Sequence, residues 1–342
     1  MSFRVQAVEQ DWAAIGRLLA AHGHRLEGVA RQFAGGLANL NYLVMLDGAP
    51  AVFRRPPGGV LAHGASDMVR EARVLSALAP HFLLAPKLIH VCDAQDVIGV
   101  PFQLLEYRDG VAVGGSLPPA FSPSDAGWML EALAQALAGL HRLDPQAMGL
   151  GDLGRQTGFA ERQLRGWMRR AEAAFAVERP PALDALLERL AAGLAPDVPV
   201  RLLHMDAKFD NLLLLPDERR ASALIDWDMG TLGPPGFDLA VLLSYWIEPG
   251  DPVAVQGLNA VPSQCEGWPA RAEVIAAYAK AAGGVPPHLG WHLALARLRL
   301  ATAWMQLYRL WQQGRLVGTR YSGFAALASA VLAHTLEQFG EI

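Results

Sequence analysis

Residues 203–238, LHMDAKFDNLLLLPDERRASALIDWDMGTLGPPGFD, constrain this chain more than any other stretch. They contain His204, Asp206, Lys208 and Asn211, then Asp226 and Asp228, then Asp238. Two apolar runs, 212–215 and 223–225, are each bounded by turn formers and read as a hairpin. Pro216, Asp217 and Glu218 begin the turn between them. A hairpin brings its outer ends together, so Asn211 and Asp226 are expected to face one space. That arrangement suits a magnesium nucleotide, because magnesium takes one or two carboxylates and completes its shell with phosphate and water oxygens. Asp206 is then the expected base or orienting group for a substrate hydroxyl. Asn211 and Asp226 are the expected metal ligands, with Asp228 a lesser candidate, and Lys208 is expected near the transferred phosphoryl group.

The pattern H-x-D-x-K-x-x-N, followed by a hairpin and I-D-W-D, resembles the catalytic and metal loops of the aminoglycoside phosphotransferase and choline kinase superfamily of small-molecule kinases. The resemblance implies an α+β, protein-kinase-like fold in two lobes. A small N-lobe, residues 1–107, would carry an antiparallel sheet and a helix that cover the nucleotide. A larger, mainly helical C-lobe, residues 108–342, would carry the catalytic loop, the metal loop and the acceptor-binding region. The implied cofactors are ATP or GTP and Mg2+. The implied partner is a small molecule bearing a hydroxyl. His204 is expected to be a buried, hydrogen-bonded group that shapes the loop. In the superfamily a carboxylate at the place of Asp238 braces that loop, and an acidic residue in a first helical turn also suits free backbone amides.

Upstream, residues 29–44 read as a hairpin with Gly35 and Gly36 at its turn. By itself Gly-Gly is a plain hairpin turn, but in a kinase such a turn covers the nucleotide phosphates. Asn39 and Asn41 cap or support this loop. Residues 51–55 form the next strand, where a kinase places a phosphate-binding lysine. No lysine precedes Lys87, and Arg54 stands in that place. Arginine grips phosphate with two hydrogen bonds but differs from lysine in reach. The Gly-Gly-x-x-Asn loop, Arg54-Arg-Pro-Pro57 and the later Leu-Gly-Pro-Pro resemble a superfamily branch, the kinase-like domain fused to acyl-CoA dehydrogenases. A helix over 67–78 carries Glu71 as the expected partner of the strand's arginine. Strands over 88–92 and 102–106 follow, and the backbone near Glu106 and Tyr107 is expected to meet the nucleotide base. Helices are expected over 11–22, from about 124 to 141, and over 159–175, 181–194, 239–246, 270–280, 289–312 and 321–339.

The chain's 342 residues allow two domains, and a hydrophobic content of 52% with a mean hydropathy of +0.20 builds a large core easily. A net charge of −4 makes no case for nucleic acid. Two cysteines, Cys92 and Cys265, form no disulfide framework and fit a reducing cytosol. The first residues lack an apolar signal core. The apolar stretch 293–305 contains Arg297 and Arg299 and is too short to span a bilayer. A cytoplasmic protein without membrane contact is expected.

Aminoglycosides are polycations, whereas Arg297, Arg299, Arg309, Arg315 and Arg320, with the arginines of 159–170, outnumber nearby acids. This composition favours an anionic acceptor such as a hydroxyacyl thioester of coenzyme A. A nucleotide-binding module without catalysis is the alternative suggested by Arg54, and a true aminoglycoside phosphotransferase is another. A protein kinase fits poorly, because Gly230 to Gly236 leaves no room for an activation segment.

Overall fold

The structure, a computed structural model, describes residues 3–4, 7–34, 39–57, 67–316 and 318–339. The chain divides into two compact units: 1–112 with 148–150 and 211–230, and 113–147 with 151–210 and 231–342. The expected boundary at residue 107 was a single cut. The observed division instead runs through the 203–238 stretch twice, between Asp210 and Asn211 and between Gly230 and Thr231.

The first unit is built on five antiparallel strands, β1 (Leu26–Gln32), β2 (Leu40–Leu46), β3 (Ala49–Arg55), β4 (Leu88–Cys92) and β5 (Phe102–Glu106), in the order β1-β2-β3-β5-β4. Strand alternation sends Tyr42, Val44, Leu46, Phe53, Phe102 and Leu104 to one face. There they pack with Ile15 and Leu19 of α1 (Trp12–Ala21), which Asp11 caps. The expected hairpin over 29–44 is present as β1 and β2, while Gly35 and Gly36 lie outside the described residues. Helix α2 (Met68–Leu78) contacts β4 and β5. The hairpin β7 (Leu212–Leu215) with β8 (Arg220–Leu224) belongs to this unit. Leu224 donates to Leu84 O at 2.8 Å, and the buried Trp227 meets Phe82 edge-on. The second strand starts three residues earlier than the apolar run suggests, because ladder pairing reaches back to the exposed Arg220.

The second unit contains α3 (Ala126–His141), α4 (Phe159–Ala174), α5 (Pro181–Ala192), α6 (Pro235–Ser244), α7 (Arg271–Ala282), α8 (Leu289–Gln312) and α9 (Phe324–Glu337). The expected helix at 239–246 begins at Pro235 instead. Proline needs no backbone donor in a first turn, and its φ suits the helix. Asp238 therefore sits inside that turn. The strands β6 (Arg201–Leu203) and β9 (Thr231–Gly233) pair antiparallel, with Leu203 opposite Thr231. These three-residue strands gave no periodic signal. Their pairing matters because the loop after β6 and the helix after β9 start from the same place.

Helix α8 buries His292 beside Phe237 and Trp291. Its Nδ1 has no hydrogen-bond partner, and burial pushes its pKa down to about 4, with His288 adding to the shift. The unfolded chain takes up a proton as pH falls through the ordinary histidine value, while the folded chain resists until about pH 4. Stability should therefore drop by about 3 kcal/mol between pH 6.5 and 4 through this residue, at about 1.4 kcal/mol per unit. Urea denaturation of His292→Phe across that range should give a flatter profile than the wild type.

Candidate active site

In the first unit, strand register sets a polar row across the sheet. Asn41 of β2 lies opposite Arg54 of β3, and Arg54 lies opposite Gln103 of β5. Directly opposed residues share a face, so the three side chains point together, away from the α1 core. Two residues along, Leu43, Val52 and Leu105 form a parallel apolar row. Leu43 and Val52 are half-buried.

Glu71 projects from the first turn of α2 into the polar row. Asp67 fixes that turn by accepting from Arg70 N at 3.0 Å. Glu71 is 1% exposed. Its Oε2 accepts from Arg54 Nε at 2.9 Å and Gln103 Nε2 at 2.7 Å, and its Oε1 accepts from Trp227 N at 3.1 Å. The Arg54–Glu71 pairing expected from the sequence is therefore present. Arg54 does more, however. Its Nη1 donates to Asn41 Oδ1 at 3.2 Å, and its Nη2 pairs with Asp226 Oδ1. Of five guanidinium N–H groups, three are engaged within the protein. Burial alone would lower the pKa of Arg54, but Glu71, Asp226 and Asp228 outweigh it and raise it, so the charge is permanent. Burial likewise pushes Glu71 up, against the pull of Arg54.

Asp226 occupies the left-handed region at φ 69°, uncommon for a residue with a side chain. The segment after it is held by Arg70, which donates to Asp228 O at 3.3 Å and Gly230 O at 2.5 Å. Ile225 N donates to Asn211 O at 2.8 Å, so the backbone carries Asn211 and Asp226 to the same end of the hairpin. Among the described residues no group of three His, Cys, Asp or Glu is arranged to hold a metal. The donors offered here are oxygens only, from Asp226, Asp228 and Asn211. That set fits magnesium, which needs few protein ligands when phosphate supplies the rest.

In the second unit, the loop after β6 presents Asp206, Lys208 and Asp210. Lys208 Nζ lies 2.7 Å from Asp206 Oδ2 and 2.9 Å from Asp210 Oδ1. It stands 5.6 Å from the Tyr245 ring centre. Burial opposes its charge, but the two carboxylates prevail and raise its pKa. Burial pushes Asp210 up to about 6 despite Lys208. The side chain of Asp206 is 23% exposed, which leaves it open to a substrate.

The loop is locked from below. Asp238 is fully buried and accepts from His204 N at 2.7 Å and Met205 N at 2.6 Å. Met205 is left-handed at φ 71°. Asp206 N donates to His204 Nδ1 at 3.3 Å, so this histidine shapes the loop from a fully buried position. Asp238 in turn contacts His141 Nε2 at 3.1 Å, and His141 Nδ1 meets Tyr278 Oη at 2.7 Å. A carboxylate only accepts, so Nε2 carries a proton, and in the Nε2–H tautomer Nδ1 accepts from Tyr278 Oη. Burial disfavours ionised Asp238, yet the contacts to His141 and the loop amides hold its pKa low. His141 and Tyr278 went unnoticed in the sequence, where each looks like one more residue of an amphipathic helix. Arg70 escaped notice in the same way.

Several expectations change. Glu106 N already donates to Lys87 O at 2.8 Å, and its carboxylate holds Lys87 N and Arg108. Glu106 therefore keeps only its carbonyl for a base. Tyr107 is half-buried, and burial and Asp109 push its phenol up. Arg297 is buried, donates to Gln338 at 3.0 Å and has its pKa pushed down to about 10 by burial. Arg309 donates from Nε to Ala174 O at 3.2 Å and from Nη1 to Gln312, while its Nη2 is buried without a hydrogen-bond partner. These two do not form an open electropositive surface. Arg299 instead acts on the Tyr245 that neighbours Lys208.

Residues 29–274 match the family model described as "Phosphotransferase enzyme family". The chain belongs to this phosphotransferase family. Acyl-CoA dehydrogenase family member 10 of Mus musculus is 30% identical over 281 residues, which are 81% of this chain and 26% of that protein. Acyl-CoA dehydrogenase family member 11 of Homo sapiens is 30% identical over 274 residues, 79% of this chain and 35% of that one. The chain thus spans about a quarter to two fifths of the curated relatives it matches. Among solved structures, a Ralstonia eutropha JMP134 protein provisionally described as an aminoglycoside phosphotransferase superposes with a TM-score of 0.80 at 25% identity. That match covers 97% of this chain and 99% of the other. Aminoglycoside phosphotransferase APH(4)-Ia, in a ternary complex with AMP-PNP and hygromycin B, superposes at 0.60 with 16% identity over 96% and 100% of the two chains. This second likeness is one of fold, and the kinase-like α+β architecture is common to all three.

Two predictions concern the phosphotransferase's own framework. Arg54→Met strands Glu71 and should cost about 3–5 kcal/mol in urea denaturation, whereas Arg54→Lys should cost less because it retains the charge. Tyr278→Phe removes one hydroxyl and keeps the ring. It should cost about 1 kcal/mol and speed amide hydrogen exchange at His204 and Met205, as measured by NMR or mass spectrometry.

Proposed function

We propose that the chain is an ATP- and magnesium-dependent kinase of a small-molecule hydroxyl, of anionic rather than polycationic character. Membership of the phosphotransferase family supports the reaction class. The observation that carries the chemistry is the Asp206–Lys208 pair, on a loop whose backbone Asp238 pins at two successive amides. Asp206 is accessible and accepts the proton of the acceptor hydroxyl. The freed oxygen attacks the terminal phosphorus of ATP, the bond to the bridging oxygen breaks, and ADP leaves. Lys208 orients Asp206 through their 2.7 Å contact, and its ammonium balances phosphoryl charge. Asn211 and Asp226, with Asp228, would hold magnesium, which neutralises phosphate oxygens when bound. Arg54 orients Asp226 and keeps two N–H groups for phosphate. The apolar row of Leu43, Val52 and Leu105 suits a purine face.

The anionic acceptor rests on Arg299 near Tyr245 and on relatives whose names refer to acyl-CoA. A hydroxyacyl thioester of coenzyme A has both the hydroxyl and the negative charge. A second reading, nucleotide binding without turnover, is favoured by Arg54 in place of lysine. The intact set of Asp206, Asn211 and Asp226 weighs against it.

The test is ATP consumption with magnesium against aminoglycosides, choline, sugars, homoserine and hydroxyacyl-CoA thioesters. Asp206→Ala should lower kcat on the active acceptor by about 10²–10⁴-fold, the range for losing a general base, with the melting temperature nearly unchanged. Turnover surviving in that variant would remove Asp206 from its role.

A further inference from the structure

A cavity of about 240 Å³ adjoins the Tyr278–His141 pair in the second unit, and the proposed reaction makes no use of it. All the residues that line it belong to that unit. His141 and Tyr278 line it from buried positions, so it borders the two groups on which Asp238 depends. Pro199, Pro234, Pro235, Pro286 and Pro287 form much of the remaining wall. Proline has a fixed φ and no backbone N–H, so these residues stiffen the wall and give it no main-chain donor.

The donors come from two arginines. Arg142, which is exposed, follows α3, and Arg201, which is half-buried, opens β6. Arg142 Nη1 donates to Ala281 O at 3.0 Å, and Arg201 Nη1 donates to Val200 O at 2.9 Å. Each guanidinium has five N–H groups and spends one of them on the protein. Among the described residues neither is paired with a carboxylate, whereas Arg271 in the same unit is answered by Glu248 and Asp251. The charge of Arg142 reaches the hydrogen-bonded pair beneath it. Burial raises the pKa of Tyr278, the charge of Asp238 adds to the rise, and Arg142 opposes it. Water satisfies a lone exposed guanidinium. Two of them at one apolar, proline-walled hollow suit an anion with an apolar body, which gains paired hydrogen bonds at one end and leaves water at the other.

We infer that this cavity binds a small organic carboxylate, with Arg142 and Arg201 on the carboxylate and the prolines around its carbon body. The planar guanidinium fork matches the two oxygens of a carboxylate. An apolar cavity of about 150 Å³ takes up benzene, so the volume here holds a ring or short chain of that size together with its carboxylate. A ligand seated there packs against Tyr278 in the position that supports His141. It therefore favours the state in which Asp238 holds the His204 and Met205 amides. Neither arginine belongs to the groups assigned to nucleotide, metal or acceptor, so the site stands apart from the kinase reading.

The experiment titrates the whole chain with benzoate and with hexanoate at constant ionic strength, with inorganic phosphate as the comparison anion. Calorimetry gives the affinity, and hydrogen-exchange mass spectrometry locates the protected segments. Saturable binding of at least one carboxylate is expected, with slower exchange at the end of α7 and at His204 and Met205. Replacing both arginines, Arg142→Gln with Arg201→Gln, should weaken that binding by about tenfold or more, the effect of losing hydrogen bonds to a charged group. Ala282→Leu keeps both arginines and puts a branched side chain into the lining. Ala282 is exposed at the end of α7, so this variant should keep the wild-type melting temperature and still bind the carboxylate more weakly. No saturable binding of either carboxylate, or binding undiminished in either variant, would overturn the inference. Phosphate bound as tightly as the carboxylates, or exchange at His204 and Met205 unchanged at saturation, would overturn it as well.

Discussion

A buried guanidinium must be answered by carboxylates, and the first unit is arranged around that requirement at Arg54. Moving an isolated charge out of water costs several kcal/mol even after relaxation. Arg54 meets that cost with Glu71 and Asp226, which come from a helix and from the end of a hairpin distant in sequence. Glu71 in turn accepts from Gln103 and from the Trp227 amide. One charge thus ties β3, β5, α2 and the segment after β8 into a single network. Three carboxylates, Glu71, Asp226 and Asp228, raise its pKa, and this acidic surplus is the environment a divalent cation complements.

The second unit solves a different problem, that of holding a polar loop in a conformation the backbone resists. Met205 is left-handed, and a residue with a Cβ adopts that state at a cost of about 1–3 kcal/mol unless its surroundings impose it. Asp238 imposes it by accepting from Met205 N and from the amide before it. Asp238 itself is buried and needs a donor, which His141 supplies, and Tyr278 supplies His141. Each buried polar group is satisfied by the next, as buried networks require. The chain ends in one accessible carboxylate, Asp206, with an ammonium against it. Asp226, also left-handed, is fixed by comparable means, with Arg54 on its carboxylate and Arg70 on the carbonyls that follow.

Most of the regular structure was legible because its signals are local. The helix 289–312 and the strands 88–92 and 102–106 stand where apolar periodicity and turn residues place them. The Arg54–Glu71 partnership was legible through resemblance to a family. The strands β6 and β9 were not, since three residues cannot display a period. The arginines of 297 and 309 were misread as an open acceptor surface. Helical position alone does not say whether an arginine reaches water or, as these do, packs its guanidinium against Gln338 or the Ala174 carbonyl.

The sequence by itself marked the family resemblance and the candidate site residues. Spacing within a loop and a hairpin is short-range, so Asp206, Lys208, Asn211 and Asp226 could be singled out as candidates in linear order. Only the tertiary structure decided which groups hold them. His141 and Tyr278 are 137 residues apart, and Arg54 and Asp226 are 172 apart. Nothing in the linear order marks such pairs. They are selected by burial, which leaves a polar atom no water and obliges the fold to bring it a partner. Exceptions such as Asn39 and His292 Nδ1, buried with no such partner, only the folded structure could reveal.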